Sequence, residues 1–304
     1  MAAITANGVS KRYGTVTALD RVSLSVEEGE IFGFLGPNGA GKSTFINVLL
    51  DFARPTDGSA ELFGRDCQAD GVSARERVGV LPDGYSVFDR LTGRQHVAYV
   101  VRSKDADDDP AEVLERVGIS AAADRPASDY SKGMKQRLVL GMALVGEPDL
   151  LLLDEPTTGL DPSGAAEIRS ILREERDRGA AVFFSSHILE QVEAICDRVG
   201  ILQDGELVAV DTIDGLRQSI GGGTKLLIDV GELDDATTEA VRGVDGVETV
   251  TVSDGTTLEV TCTNDAKMDV VVELQRRGAD VMNFRTEEAS LEEMFLAYTG
   301  GSRE

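Results

Sequence analysis

The segment Gly36-Pro37-Asn38-Gly39-Ala40-Gly41-Lys42-Ser43-Thr44 fits the phosphate-binding pattern Gly-x-x-x-x-Gly-Lys-Ser/Thr. Glycines let the backbone curl until several N–H groups face one phosphate chain. A helix that starts there adds partial positive charge behind them. Lys42 is suited to reach β- and γ-phosphate oxygens, and the Ser43 hydroxyl to hold Mg²⁺. A second constellation lies downstream, where Leu150-Leu151-Leu152-Leu153 ends in Asp154-Glu155. Asp154 is suited to the Mg²⁺ shell, directly or through water. Glu155 is suited to polarising a water in line with the γ-phosphate. Together these residues point to metal-assisted hydrolysis of a nucleoside triphosphate.

Such groups work only if regular elements hold them. Ile31 to Leu35 reads as a buried strand and Phe45 to Leu50 as the start of a helix, which is the strand–loop–helix context that the phosphate pattern needs. Residues 1–26 read as alternating strand material, with Val22, Leu24 and Val26 on one face. Residues 78–82 predict a short strand, and the pattern turns helical between about 90 and 146, with an acidic break at 105–110. Beyond the buried strand at 150–153, a helix is expected over 162–178, a strand over 180–185 and a helix over 188–196. Strands alternating with helices imply a mainly parallel sheet covered on both faces.

The pattern changes near 215–224, where Gly221-Gly222-Gly223 suggests a linker. Strands at 225–230, 247–252, 257–261 and 281–284, with helices near 234–242 and 266–277, predict a small α+β domain over 225–304. Leu291, Met294, Phe295 and Tyr298 fall on one face of a closing helix.

Composition narrows the function classes. The 304 residues suit about two domains, and 41% hydrophobic residues suffice for packed cores. The net charge is −24, with 54 acidic residues and 7 lysines against 23 arginines. An acidic, lysine-poor chain with a normal core resembles proteins of extreme halophiles, in which carboxylates keep the surface soluble and salt screens their repulsion. The alternative is an acidic surface made for a basic partner. The charge argues against nucleic acid, whose phosphates need Lys/Arg patches, and against adsorption to anionic lipid. Cys67, Cys196 and Cys262 have no paired spacing and imply neither disulfides nor zinc. No apolar run approaches 18 residues, so direct membrane insertion is not expected. No signal-like apolar segment stands at the N-terminus, and an intracellular, soluble chain is expected.

Between the two constellations lies Tyr130-Ser131-Lys132-Gly133-Met134-Lys135-Gln136-Arg137. With it, residues 4 to about 215 resemble the ATP-binding subunits of ABC transporters. The family's distinguishing motif is Leu-Ser-Gly-Gly-Gln shortly before the acidic strand. Ser131 and Gly133 match it, Tyr130, Lys132 and Met134 depart, and Lys-Gln-Arg continues the pattern. The resemblance implies a P-loop NTPase fold in an ABC cassette spanning 1–217, with a mainly parallel sheet, an antiparallel β part and a helical subdomain at about 85–146. It implies ATP and Mg²⁺ as ligands. It also implies a homodimer, or a pair with another ABC ATPase subunit, closing head to tail on an integral membrane permease subunit. The chain is then cytoplasmic, held at the inner face of the membrane by the permease. Further roles follow the motif positions. Tyr13 would stack on adenine, Ser131 and Gly133 would meet the γ-phosphate on the other subunit, and Asp161 lies in the subunit-contact loop. His187 would sense the γ-phosphate. Asp83 stands at or beside the usual metal-contacting Gln, and a plain turn residue is the alternative there. Tyr85, Val87, Phe88 and Leu91 form an apolar cluster where the family receives a cytoplasmic helix of the permease. His96 has no motif around it and no role is assigned to it.

The single cassette with a small C-terminal domain looks like exporter-type ATPases of drug, lipid or polysaccharide efflux. Tyr130 to Met134, with Leu91-Thr92-Gly93-Arg94 before it, also resembles the ATPase that supports copper-site maturation of nitrous oxide reductase, as motor and not as metal site. Two other classes stay open: a soluble ABC ATPase of translation or DNA repair, and a nucleotide-dependent regulator without turnover.

Overall fold

The computed structural model describes residues 1–219, 224–231, 233–253, 256–263 and 265–287, with Glu292, Phe295 and Tyr298. The chain divides into two compact units, Met1–Thr212 and Ile213–Glu304.

In the first unit, β1 (Ala2–Tyr13) and β2 (Val16–Glu27) form a long hairpin, and β3 (Ile31–Leu35) leads through the phosphate loop into α1 (Lys42–Leu49). Then come β4 (Asp57–Leu62), β5 (Arg65–Asp66), α2 (Gly71–Arg75) and β6 (Val78–Leu81). A helical part follows: α3 (Gly93–Lys104), α4 (Pro110–Arg116) and α5 (Lys132–Leu144). The unit closes with β7 (Leu150–Asp154), α6 (Pro162–Asp177), β8 (Ala181–Ser186), α7 (Leu189–Glu193) and the hairpin of β9 (Arg198–Gln203) and β10 (Glu206–Asp211).

Two sheets result. The central one has the order β10-β9-β3-β8-β7-β6, parallel throughout except for β10. Every residue of β3, β7 and β8 is buried, as strands covered on both faces require. The second sheet, β2-β1-β4-β5, is antiparallel, and its alternating pattern buries Val22, Leu24 and Val26. A ring cluster supports the phosphate loop from below. Phe34 lies 5.1 Å from Phe45 of α1 and 5.2 Å from Phe183 of β8, and Phe32 stacks on Phe183. Edge-tilted rings at these separations add to their area burial, so the loop's two flanking elements share one rigid support.

The sequence pattern overlooked two parts of this unit: β4 to α2, and the β9–β10 hairpin. The helix expected over 188–196 is one short segment, α7, because residues 194–196 continue as turns bonded to Glu190 and Val192 carbonyls. Among the described residues no helix is long and apolar enough to cross a membrane.

The second unit contains α8 (Ile213–Ser219), β11 (Thr224–Val230), α9 (Asp235–Arg242), β12 (Val247–Ser253), β13 (Thr257–Cys262), α10 (Ala266–Arg276) and β14 (Val281–Glu287). From β11 to β14 it is a split βαββαβ unit, its antiparallel sheet ordered β12-β13-β11-β14. Leu226, Ile228, Val241, Val260, Val270 and Leu274 form its core. Helix α8 takes in 215–219, part of the stretch expected to be a break. Gly221 to Gly223, and Leu291 and Met294 of the closing stripe, lie outside the described residues.

Candidate active site

The phosphate loop leaves the C-terminal end of β3 and enters α1, the position where parallel sheets bind ligands. Two glycines are needed for steric reasons. A Cβ at Gly36 would sit 2.4 Å from the Leu202 carbonyl oxygen. Gly41 has φ +112°, and a Cβ there would sit 2.3 Å from the Ala18 carbonyl oxygen. Within the loop Gly36 and Ala40 are buried, while Pro37, Asn38 and Gly39 are exposed. Lys42 is 6% exposed. Its ammonium donates to the Gly36 carbonyl at 2.7 Å and the Pro37 carbonyl at 3.1 Å, and lies 3.8 Å from Glu155 Oε1. Burial pushes its pKa below the usual lysine value, and the Glu155 and Asp154 carboxylates pull against that shift.

The two carboxylates stand at the end of β7, beside β3's neighbour β8. Asp154 is 4% exposed and accepts a short hydrogen bond from the Ser185 hydroxyl. Glu155 has a left-handed backbone, φ +52°, which turns its side chain out of the strand's alternation. Its N–H donates to Ser185 Oγ at 3.1 Å. His187 Nδ1 lies 2.8 Å from Glu155 Oε1, and because that partner only accepts, Nδ1 carries the proton. Thr158 Oγ1 donates to Glu155 Oε2 at 3.3 Å.

Lys42, Ser43, Thr44, Asp83, Asp154, Glu155 and His187 line one cleft of about 980 Å³. Asp83 is exposed at its edge. Tyr13 is half exposed at the end of β1, paired with Val16, which lines the cleft. The Lys11 ammonium lies 4.8 Å from the Tyr13 ring centroid. Ser131, Gly133 and Asp161 are not part of this cleft. With Gly159 and Leu160 they line a separate surface depression. Ser131 caps α5 by accepting the Met134 N–H at 3.2 Å, and Asp161 caps α6 by accepting the Gly164 N–H at 3.0 Å.

Three residues at this site were not singled out from sequence: Ser185, Thr158 and Gln136. Their only signals were a hydroxyl closing an apolar strand and a glutamine in the Lys-Gln-Arg run. His96 is 2% exposed. Its Nδ1 bonds the Thr92 carbonyl at 2.8 Å and its Nε2 accepts the Phe88 N–H at 2.9 Å, so it is a structural tie for the loop before α3.

Comparison with known proteins identifies relatives along nearly the whole chain. Residues 19–158 match the family described as ABC transporter, and residues 212–299 match the ATP-binding protein DrrA1-3-like C-terminal domain. The linearmycin resistance ATP-binding protein LnrL of Bacillus subtilis is 31% identical over 303 residues, 97% of each chain. The daunorubicin/doxorubicin resistance ATP-binding protein DrrA of Streptomyces peucetius is 35% identical over 309 residues, 98% of this chain and 92% of that one.

The chain belongs to the ABC transporter ATP-binding proteins.

A solved ATP-binding subunit of an ABC transporter has the same cassette fold, with TM-score 0.67 and 27% identity over 72% of this chain and 93% of the other. This ABC protein is an ATPase, the ATP-binding and hydrolysing subunit that drives a membrane transporter.

Proposed function

We propose that this ATPase powers export of a toxic small molecule, and that Glu155 is the general base of its hydrolysis. The export reading is carried by one observation: the match to drug-resistance ATP-binding proteins extends through both units, including residues 212–299. The copper-maturation resemblance has a structural explanation. Its two segments are packing partners. The Tyr130 hydroxyl donates to the Ala122 carbonyl at 2.6 Å, and a Cβ at Gly93 would sit 2.3 Å from that hydroxyl oxygen. Thr92 bridges to Pro126 in the same turn. These residues serve one local fit, which accounts for their pairing without reference to the cargo.

In the proposed cycle the loop from Gly36 to Thr44 and Lys42 cradle the phosphates, and Tyr13 offers its ring to adenine. Ser43 and Asp154 would hold Mg²⁺, which supplies charge neutralisation at the β/γ-phosphates. A hydroxyl and one buried carboxylate suit that ion, which is bound through few protein ligands plus phosphate oxygens and water. Asp83, at the cleft edge, is the third metal-side candidate. Glu155 takes the proton of the attacking water, and His187 holds the Glu155 carboxylate in place through its Nδ1–H. Ser131, Gly133 and Asp161 line a depression other than the cleft of their own chain, which supports their serving a nucleotide on a second ABC subunit. ATP then closes the pair by binding the closed state better than the open one.

The permease contact is assigned to the apolar cluster at 85–91. Phe88 is 68% exposed, and Tyr85 of the same cluster lines a groove of about 420 Å³ with Val80, Val100 and Met142. The lysine-poor, carboxylate-rich composition supports a high-salt setting, and assays are best run at molar salt.

The deciding experiment is Glu155→Gln. General-base loss costs roughly 10²- to 10⁴-fold in rate. The variant should still bind ATP, lose turnover on that scale, and elute as a dimer with Mg-ATP. Used as bait on native membranes, it should retain a polytopic membrane protein. Hydrolysis near the wild-type rate would refute the base assignment, and capture of ribosomal or repair proteins alone would refute the transporter partner.

A further inference from the structure

We infer that Gln136 is a positioning residue for hydrolysis: it ties the helical part of the cassette to the backbone that carries Glu155. The inference rests on the reading of Glu155 as general base. Gln136 lies on α5 and is 2% exposed. Its carboxamide nitrogen donates to two successive carbonyls, that of Glu155 at 3.2 Å and that of Pro156 at 3.0 Å. A carboxamide has two N–H groups, so one side chain meets both acceptors.

The place of this contact gives it meaning. Glu155 is a non-glycine residue in the left-handed region, φ +52°, a strained conformation that persists only where neighbours enforce it. Ser185 of β8 holds the N–H of Glu155, and Gln136 holds its carbonyl. The two peptide units flanking the Glu155 Cα are thus pinned from opposite sides, one by the central sheet and one by the helical part. His187 and Thr158 orient the carboxylate itself, but both depend on where the backbone puts it. Release of the Gln136 bonds would let residue 155 relax toward ordinary dihedrals and move the carboxylate off the line of attack.

Helix α5 also joins two ends of the machinery. Ser131 caps its start, and Gln136 follows about 7.5 Å along the axis. Whatever engages Ser131 therefore acts on one end of a rod whose flank holds Glu155. Arg137, next on the helix, bonds the Val117 carbonyl at 3.1 Å and Glu167 of α6 at 2.6 Å, which ties the rod to the end of α4 and to α6.

The test is steady-state Mg-ATP hydrolysis by the full chain carrying Gln136→Leu or Gln136→Glu, with Glu155→Gln in parallel. Binding of N-methylanthraniloyl-ATP and the thermal midpoint are measured on each. Leu removes both donors, and Glu keeps the shape while presenting a carboxylate to the two carbonyls. A misplacement of about 1 Å costs on the order of 100-fold. Both variants should lose 10- to 100-fold in kcat while KM and analogue affinity stay within about threefold of wild type. A folded variant with wild-type kcat overturns the inference, as does an equal loss in nucleotide affinity. Failure of both variants to fold would make Gln136 a structural residue only, and would also overturn it. If Glu155→Gln itself turns over normally, the base reading fails instead, and the two failures are told apart.

Discussion

Ser185→Ala tests the linkage between stability and catalysis most directly. Ser185 is fully buried at the end of β8 and bonds both acidic positions. Its hydroxyl donates to Asp154 Oδ1, a bond to a carboxylate contributing about 1.5–3 kcal/mol. Its oxygen accepts the Glu155 N–H, a neutral bond contributing about 1 kcal/mol. Alanine leaves one buried acceptor and one buried donor without these partners, so the expected loss is about 3 kcal/mol. At about 2–4 °C per kcal/mol for a unit of this size, the thermal midpoint should fall by about 6–12 °C. The same substitution frees the N–H side of Glu155, and kcat should fall on the order of tenfold. Differential scanning calorimetry and ATPase assays at molar salt read both quantities. Ser186→Ala is the control. Its hydroxyl is just as buried but bonds only the Ile188 backbone, so about 1 kcal/mol and little change in kcat are expected. Equal effects of the two serines, or a Ser185→Ala midpoint within 2 °C of wild type, would refute the reasoning.

Three further outcomes follow from the same geometry. Gly93→Ala should destabilise by about 1–3 kcal/mol, because its Cβ would meet the Tyr130 hydroxyl. Tyr130→Phe in the same chain should restore much of this, and a denaturation cycle measures the coupling. Phe88→Asp should leave ATPase activity of the isolated chain intact and abolish transport in host membranes. Loss of folding or unchanged transport would remove Phe88 from the permease contact. The Cys67 thiol is pushed up to about 12, chiefly by burial and then by the Asp66 charge. The native state thus favours the neutral thiol. That contribution is complete below the unfolded thiol's pKa of about 8.5 and is lost as pH rises toward 12. The alkaline fall of the thermal midpoint should therefore be steeper in wild type than in Cys67→Ala.

Local chemistry made much of this protein legible. The phosphate loop could be read because a curled backbone around phosphate needs glycine at defined places, Gly36 and Gly41 among them. The strands at β3, β7 and β8 could be read because burial on both faces demands unbroken apolar runs. A sharp local signal was also passed over. Asp204-Gly205, at φ +49° and +85°, is the turn of the β9–β10 hairpin, and the dipeptide is a strong hairpin mark. By contrast, β4 buries only Ala60 and Leu62, too few positions to declare a strand.

What the sequence alone offered was the set of candidate groups: Lys42, Ser43, Asp154 and Glu155 by their local patterns, and His187 through the family resemblance. Their being lined up in one cleft was decided by the parallel order β3-β8-β7, which brings chain segments more than 100 residues apart to one edge. Tertiary structure also decided which residues hold Glu155 in its left-handed conformation. Ser185 and Gln136 come from different elements, and neither has a local partner that a sequence pattern could reveal. The same holds for Ser131, Gly133 and Asp161, whose place in a separate depression depends on how α5 packs beside the turn after β7. Propensity and periodicity act over a few residues, whereas such contacts exist only after distant segments have packed, so the fold alone could assign them.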